Sequence, residues 1–505
     1  MPPTSKPLNP GRPVPANPPV KPIAPPKTVV VKLVDAPTDQ GLQNTGNYVL
    51  ALLIFITYSR VLDLNSTIAS FRFPLMLSVI VLAIAFMSGS VLDRIGTTGR
   101  CLLGFTVWVV VGAPFGFYRS QSLQTVIEMV KAILIFTACA SLITTVRQSR
   151  RVMLAVGLAS LVGSVMSSFL GQLRGGRLTL EQGSFGDPNA YAMFLLLGLP
   201  IWWYFARRSS TYAVKLICWG CTIPILVAFG KTGSRGGMAA FAALLLMIFL
   251  QSSVMKKLQI IIAGVLLLGA LYATLPPYLK VRYFILFSPK EAAQPEGELA
   301  DRLEADAGSS EARYKLLMDS LVTTLKNPIF GVGAGNFAHY VDAEARKRGG
   351  RTGYQPTHNS YTEISSEAGL PALILFIAAL VFTFRKMAFV LKAKPPTGSK
   401  NWEDLTHAVR YLRMSLVSTM VCCFFLNYAY KGIFQPLLGI ITGVTTVAIG
   451  ELMRAKAAAE KEGNEAKAAS GAGPAAGPGG KPGPGGARPG PRAPLRGPWP
   501  APGRA

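Results

Sequence analysis

One of the three histidines in the sequence stands in a setting suited to acid–base chemistry. His358 opens the segment His-Asn-Ser-Tyr-Thr-Glu-Ile-Ser-Ser-Glu-Ala-Gly, which leads directly into an apolar run. Imidazole titrates near neutral pH, so at a membrane surface His358 can take a proton from a hydroxyl nucleophile. The alternative is a solvent-exposed histidine at a helix start. His339 follows a glycine-rich turn and His407 lies in a basic loop, so packing and surface roles account for them.

A short basic loop is the second candidate for chemistry. Residues 230–237 read Gly-Lys-Thr-Gly-Ser-Arg-Gly-Gly, and they place Lys231 and Arg235 beside backbone N–H groups at an expected helix start. That arrangement suits a phosphate or pyrophosphate. The alternative is a basic side chain that merely reaches the membrane interface. A further turn at 183–189, Gly-Ser-Phe-Gly-Asp-Pro-Asn, offers Asp187 as the cap of the next helix.

A glycine-rich segment at 328–337, Pro-Ile-Phe-Gly-Val-Gly-Ala-Gly-Asn-Phe, invites comparison with nucleotide-binding loops. Its spacing is not G-x-G-x-x-G, and no predicted strand precedes it. Gly331 and Gly333 therefore predict a tight turn that lets the backbone approach another helix or a phosphate. The preceding residues 311–325 have leucines at helical spacing, and Asn327-Pro328 is expected to end that helix.

The composition indicates the elements that must position these residues. The chain has 505 residues, 50% of them hydrophobic and only 15% charged, and its mean hydropathy is +0.37, which argues for a membrane protein rather than an array of soluble domains. Of 37 prolines, 22 fall in residues 1–40 and 455–505. These ends are therefore predicted to be disordered basic tails, the first Pro-rich and the second rich in Gly, Pro and Ala.

The middle of the chain, 41–454, is predicted to be a membrane domain. Apolar runs close to the length of about 18–20 residues that crosses a bilayer recur with short polar breaks. The predicted fold class is all-α, a polytopic bundle of about twelve transmembrane helices. The runs lie at 46–62, 73–91, 101–118, 124–145, 152–170, 189–206, 211–229, 236–251, 258–276, 369–389, 411–430 and 432–451.

Basic residues in the short loops predict the orientation of these spans. With the N-terminus inside, 17 Lys and Arg residues fall in cytoplasmic loops and 8 in short outer loops. Both termini are therefore expected to be cytoplasmic, and residues 277–368 form one large external loop. That loop is close to electrically neutral, so the net charge of +26 belongs to the tails and cytoplasmic loops and does not indicate a nucleic acid partner.

Taken in this order and topology, the motifs resemble the bacterial O-antigen ligase and polymerase superfamily, integral membrane proteins that transfer glycans from undecaprenyl diphosphate. The resemblance covers about residues 180–390. Four pieces carry it: Gly-Asp-Pro-Asn at 186–189, Thr-Gly-Ser-Arg-Gly-Gly at 232–237, Arg313 followed by 327–337, and His358-Asn359 followed by Gly-Leu-Pro-Ala at 369–372. The ligase pattern His-Asn-x9-Gly-x-x-Gly is met except that Ala372 replaces the last glycine.

The resemblance implies a reaction and roles for its residues. An acceptor sugar hydroxyl displaces undecaprenyl diphosphate, with inversion at the anomeric carbon and without a metal or other cofactor. His358 would be the general base or orient the acceptor, while Arg235, Arg313 and Lys231 would hold the diphosphate. The supporting residues would be Asp187, Asn189, Asn359, Glu367, Gly331 and Gly333.

The expected location is the bacterial inner membrane, in a pathway of lipopolysaccharide or exopolysaccharide synthesis. The expected partners are the undecaprenyl-diphosphate-linked glycan donor, an acceptor glycan or lipid A-core, the lipid bilayer and other proteins of envelope polysaccharide assembly.

Two alternatives stay open. One is a polymerase of the same superfamily, although no arginine in the predicted outer loops has the glycine sixteen residues later that is typical of polymerases. The other is a twelve-helix transporter, because Gly-Ser-Val-Leu-Asp-Arg-Ile-Gly at 89–96 approximates a major-facilitator loop. The long central cytoplasmic loop of that class is missing.

Overall fold

The computed structural model describes residues 40–64, 66–89, 91–180, 183–285, 298–350, 353–395 and 400–471. These residues form seventeen α-helices and one two-stranded antiparallel sheet. The helices are α1 (Gln40–Ser59), α2 (Ser66–Ser70), α3 (Phe73–Met87), α4 (Val91–Gly112), α5 (Arg119–Leu142), α6 (Val146–Leu170), α7 (Pro188–Arg208), α8 (Tyr212–Gly220), α9 (Thr222–Lys231), α10 (Arg235–Leu250), α11 (Val254–Thr274), α12 (Pro277–Ile285), α13 (Glu298–Lys326), α14 (Phe337–Lys347), α15 (Ser360–Lys392), α16 (Lys400–Cys423) and α17 (Phe434–Gly471). The strands are β1 (Gln172–Arg174) and β2 (Arg177–Thr179).

Every predicted apolar run overlaps one of these helices, so the helical polytopic fold is confirmed. Seven helices of the described chain are long and apolar enough to cross a membrane, and the expected count of about twelve is not confirmed. The shorter apolar helices α3 and α10 fall below the length of those seven. The seven spans are Asp93–Phe115, Arg119–Leu142, Val146–Leu170, Pro188–Arg208, Tyr212–Lys231, Ser360–Lys392 and Phe434–Glu465.

Helix α7 lies at the centre of the packed helices. Its apolar window is 89% buried inside the protein, whereas that of α15 is only 33% buried. Helices α6, α9, α10 and α16 pack against α7, and α4 packs against α5 and α15. Large apolar side chains such as Val79, Phe86 and Met87 on α3 stay exposed, which fits a surface whose solvent is lipid rather than water.

The sheet is a departure from the all-α prediction. Strands β1 and β2 form a hairpin in which Arg174 pairs with Arg177. Gly175 and Gly176 make the two-residue turn with φ of 58° and 76°, values that glycine adopts without strain and that a tight hairpin turn of this twist requires. The hairpin stands between α6 and α7, in a loop predicted to be external.

The predicted external segment, 277–368, contains α12, α13, α14 and the first turns of α15. Helix α13 includes the predicted helix at 311–325 and ends at Lys326, directly before Asn327-Pro328 as expected. Helix α15 continues from this segment into the apolar run but is kinked at Gly369, where φ is 83° and ψ is 175°.

The chain divides into two compact units, Met1–Ala455 and Lys456–Ala505. Most of both predicted disordered tails, 1–39 and 472–505, lies outside the described residues. Residues 455–471, predicted as part of the second tail, are helical. Their Ala-, Lys- and Glu-rich composition favours a helix, and the first proline of that tail comes only at Pro474.

Candidate functional site

The glycine hairpin positions an arginine on the predicted outer side of the protein. Arg177, the first residue of β2, donates from Nε to the carbonyl oxygen of Thr232 at 2.8 Å. Its Nη2 donates to Oδ1 of Asn189 at 2.8 Å. One side chain thus joins the hairpin, the start of α7 and the turn before α10.

The first residues of α7 and α10 are held together by their own capping groups. Asp187 is the N-cap of α7, as predicted, and its Oδ1 accepts from the backbone N–H of Asn189 at 2.9 Å. Ser234 is the N-cap of α10 and accepts from the N–H of Gly237 at 3.0 Å. The Ser234 hydroxyl also donates to Oδ1 of Asn189 at 2.9 Å. Arg235 is therefore presented from the first turn of a capped helix, where the helix dipole favours an anion.

Helix α12 holds the turn between α9 and α10 from another side. Arg282, only 6% exposed, donates from Nε to the carbonyl of Gly233 at 3.0 Å and from Nη1 to the hydroxyl of Tyr278 at 2.9 Å. The hydroxyl of Tyr283 donates to the carbonyl of Gly230 at 3.0 Å. The turn is thus fixed by hydrogen bonds to its carbonyl oxygens.

Four arginines act electrostatically on one another here, and we call them the arginine group: Arg177, Arg235, Arg282 and Arg313. Burial lowers the pKa of three of them, and a neighbouring arginine lowers each of these further. Arg313 acts on Arg177, Arg177 and Arg235 act on Arg282, and Arg235 acts on Arg313. Guanidinium groups stay charged in proteins, so the result is concentrated and partly desolvated positive charge.

Asp187 is the carboxylate that opposes this charge. It raises the pKa of Arg177 and of Arg313 against the effect of burial. The charged groups that shift the pKa of Arg177, Arg282 and Arg313 are thus three arginines and Asp187, so positive charge predominates around them. Such a site is suited to a ligand with more than one negative charge.

His358 adjoins the arginine group. Burial and the nearby charge of Arg313 lower its pKa, Asp187 opposes that shift, and Lys431 adds to it. The imidazole is therefore neutral at neutral pH. Its Nδ1 is buried and has no hydrogen-bond partner among the described residues, and its φ of 50° is a conformation that non-glycine residues rarely adopt.

Asn359 holds the backbone next to His358. It is the N-cap of α15, and its Oδ1 accepts from the N–H groups of Tyr361 at 2.9 Å and Thr362 at 3.2 Å. This cap fixes where the helix begins, and therefore where the preceding histidine lies.

The glycine turn, residues 331–335, packs against α15. Gly331, Gly333 and Gly335 have φ of 64°, 95° and 77°. The carboxylate of Glu367 accepts from the N–H of Gly335 at 2.7 Å and of Phe337 at 3.1 Å. A Cβ on Gly331 would lie 2.3 Å from the carbonyl carbon of Glu367. Of the two predicted roles for the turn, close approach to a helix is the one that its contacts support.

The structure therefore divides the predicted site residues into two sets, and Lys231 belongs to neither. Those brought together around the arginine group are Arg235, Arg313, Asp187, Asn189 and His358, with Asn359 alongside. Those that brace the glycine turn are Gly331, Gly333 and Glu367.

The position predicted for Lys231 at a helix start is wrong. The residue ends α9, where its charge suits the C-terminal end of the helix dipole. No contact described for the chain joins it to the arginine group.

Two members of the arginine group were missed from the sequence. Arg177 follows a Gly-Gly pair, which is a hairpin signal, within a loop expected to be external. Arg282 lies four residues after Tyr278, so both share one face of a helix that follows Pro276-Pro277. Both signals were present, but neither reveals that Arg177 lies near Arg313 or that Arg282 lies near Arg177 and Arg235.

Comparison with known proteins bears on residues 220–377, which match the family model described as O-Antigen ligase. The matched stretch contains Arg235, Arg282, Arg313 and His358. A search of curated proteins found no match. Residues 220–377 are thus similar to an O-antigen ligase domain, and this match supports the resemblance to the O-antigen ligase and polymerase superfamily that the motifs indicate.

Proposed function

We propose that this protein transfers a glycan from undecaprenyl diphosphate to a sugar hydroxyl on the outer face of the bacterial inner membrane. The observation that carries the proposal is the arginine group beside a neutral histidine. A diphosphate is the leaving group that such charge stabilises best, and a neutral imidazole is the form that accepts a proton. Both termini of the chain are then cytoplasmic, in keeping with the distribution of basic loops.

The reaction follows from these roles. The arginine group binds the diphosphate of the donor and so fixes the anomeric carbon attached to it. The acceptor hydroxyl attacks that carbon while His358 takes the hydroxyl proton. The bond between the anomeric carbon and the diphosphate oxygen breaks, and its electron pair leaves with undecaprenyl diphosphate. The guanidinium groups stabilise the charge that develops on that oxygen.

Ligation to a distinct acceptor, such as lipid A-core, is the form of the reaction that we favour. The sequence keeps His358-Asn359 with Gly369 ten residues after Asn359, and Gly369 kinks α15 against Pro328 and Ile329, just before the glycine turn. The Arg-x15-Gly pattern of polymerases is missing from the predicted outer loops. Polymerisation of O-antigen or exopolysaccharide repeat units is the second candidate, because it uses the same donor and the same bond change.

The glycans made by a strain that lacks the gene distinguish the two. We expect undecaprenyl-linked polymer of normal length to accumulate without attachment to its acceptor. Accumulation of single repeat units would show a polymerase instead. A normal glycan profile would show that neither reaction depends on this protein.

A further inference from the structure

A cleft of about 330 Å³ lies near the proposed base and has none of the arginines in its lining. Thr357, the residue before His358, lines it, and so does Lys431, whose charge lowers the pKa of His358. The cleft therefore lies close to His358 along the chain and in space. Its other lining residues come from α5, α15, the loop between α16 and α17, the glycine turn, α14 and the loop that precedes His358.

One wall of the cleft is a polar stripe on α5. Gln121, Gln124, Thr125 and Glu128 all line it, and their spacing of three, four and seven residues places them on one face of the helix. Helix α5 is otherwise apolar enough to span a membrane. Polar side chains in such a segment are costly unless they face water or a ligand, so the stripe indicates a hydrated site.

The buried side of the cleft carries fixed acceptors and one unsatisfied hydroxyl. Glu363 accepts from the N–H of Ala429 at 3.1 Å, and Glu367 is held by the glycine turn. Tyr430 also lines the cleft. It is 4% exposed, and its hydroxyl has no hydrogen-bond partner within the described parts of the chain. A buried hydroxyl without a partner costs free energy, which a bound ligand can recover.

The charge of the lining separates this cleft from the arginine group. The lining has three glutamates, one lysine (Lys431) and no arginine, so it lacks the concentrated positive charge that a diphosphate requires. A cation site is also disfavoured, because no group of three or more His, Cys, Asp or Glu side chains placed to hold a metal occurs among the described residues. Amide, hydroxyl and carboxylate groups together suit an uncharged ligand rich in hydroxyl groups.

We propose that this cleft binds an unphosphorylated sugar residue of the acceptor. This rests on the proposed function, because the cleft then supplies the hydroxyl that attacks the anomeric carbon and loses its proton to His358. The donor and the acceptor would then bind in two chemically different sites, both close to His358. The positive arginine group takes the diphosphate, and the carboxylate- and amide-lined cleft takes the neutral sugar.

Binding of simple sugars to the purified full-length protein tests this without any transfer reaction. Saturation-transfer NMR would be recorded with methyl glycosides of glucose, galactose, mannose and N-acetylglucosamine. We expect at least one to bind wild type. Tyr430→Phe should weaken that binding about fivefold, since it removes one hydrogen bond. Gln124→Ala should weaken it similarly, and because Gln124 is exposed this variant should fold normally.

Matched controls separate the cleft from the rest of the protein. Tyr212→Phe and Gln251→Ala make the same changes at exposed positions away from the cleft, and both should bind as wild type does. Arg235→Ala should also retain sugar binding, and inorganic pyrophosphate should not displace the glycoside.

Three results would overturn the proposal: no glycoside binds, Tyr430→Phe and Gln124→Ala bind as wild type does, or added CaCl2 displaces the glycoside and itself binds in a Glu363-dependent way. If the wild-type protein bound a glycoside but transferred no glycan, the result would instead count against the proposed function.

Discussion

At the residue scale, the arginine group is the feature most in need of a ligand. Burying like charges together is unfavourable, and Asp187 opposes the charge of Arg177 and Arg313 in part. A diphosphate would relieve this repulsion while accepting several charge-assisted hydrogen bonds. Each arginine also stands on a separate element, so the group forms only when the hairpin, α10, α12 and α13 are all in place.

The hairpin offers a matched pair of arginines that tests this view. Arg177 points into the group, whereas its cross-strand partner Arg174 is exposed. Arg177→Ala should weaken donor binding by about 10- to 100-fold, the effect of removing a charge-assisted contact. Arg174→Ala should leave binding unchanged. Titration of each variant with lipid-linked donor in nanodiscs measures this, and equal effects of the two substitutions would speak against the proposed site.

The surroundings of His358 predict how the reaction depends on pH. Burial, Arg313 and Lys431 all lower the pKa of the imidazole below its usual 6.5, so the base stays neutral at neutral pH and becomes protonated only in acid. The decrease of kcat/KM in acid should therefore have its midpoint below pH 6.5. Bound diphosphate adds negative charge that favours the imidazolium, so the acid limb of kcat should lie at higher pH than that of kcat/KM.

Lys431→Gln provides a check on that assignment. Removing the lysine removes a charge that disfavours the imidazolium, so the acid limb of kcat/KM should move to higher pH. Rate profiles from about pH 4.5 to 8 measure both effects. An acid limb that keeps its position in Lys431→Gln would mean that a group other than His358 titrates.

At the element scale, the glycine turn and the two capped helices hold the site in position. Val332 and Gly333 donate backbone hydrogen bonds to the carbonyls of Ser366 and Glu367 at 2.9 and 2.8 Å. The turn thus fixes α15 three residues before its kink at Gly369. His358 lies at the start of the same helix, so a shift of the turn would be transmitted to the base.

Two glycines with similar φ angles distinguish the cost of steric crowding from the cost of an unfavourable backbone conformation when glycine is replaced. Gly331 and Gly349 have φ of 64° and 77°, but a Cβ would lie 2.3 Å from backbone at Gly331 and in open space at Gly349. Gly349→Ala should lower the free energy of unfolding by about 1 kcal/mol, and Gly331→Ala by about 3 kcal/mol or more. Thermal unfolding in detergent measures the difference, and equal losses would show that packing on α15 contributes little.

Local sequence patterns predicted most of the helices correctly, but they did not predict which side chains of different elements lie in contact. Asp187 as a helix cap, the end of α13 at Lys326 and helices over the apolar runs follow from neighbouring residues. Arg177 and Arg282 depend on contacts between segments about 50 residues apart along the chain, which no local pattern contains. The position predicted for Lys231 is wrong because α9 continues two residues past the end of the predicted run at 229. The helix at 455–471 was obscured by the Gly- and Pro-rich composition of the tail that follows it.

At the scale of the whole molecule, the proposed reaction requires all functional residues to lie on one side of the membrane. The arginine group, His358 and the glycine turn all fall in loops that the basic-residue count places outside. Arg150 and Arg208, by contrast, lie in loops assigned to the cytoplasm and pair with Asp404 at the start of α16. Arginines on the predicted cytoplasmic side thus form ion pairs within the protein, whereas those of the arginine group are proposed to bind the donor.

Cysteine labelling tests this topology. In a variant without the six native cysteines, Gly349→Cys should react with a membrane-impermeant maleimide added from the periplasmic side. Ser210→Cys, in the loop between α7 and α8, should react only after the inner membrane is permeabilised. Both positions are exposed. Labelling of Ser210→Cys in intact inner membranes would reverse the assigned orientation.

The most direct test of the central claim is glycan transfer by the purified protein in proteoliposomes that contain an undecaprenyl-diphosphate-linked donor. His358→Ala should lower the transfer rate by about 100-fold or more while donor affinity stays unchanged, because the base is lost and the arginine group remains. Arg235→Ala should instead weaken donor binding, and His407→Ala, in the predicted cytoplasmic loop, should behave as wild type. If His358→Ala and Arg235→Ala both fold normally and transfer glycan at the wild-type rate, the assignment of the site is wrong.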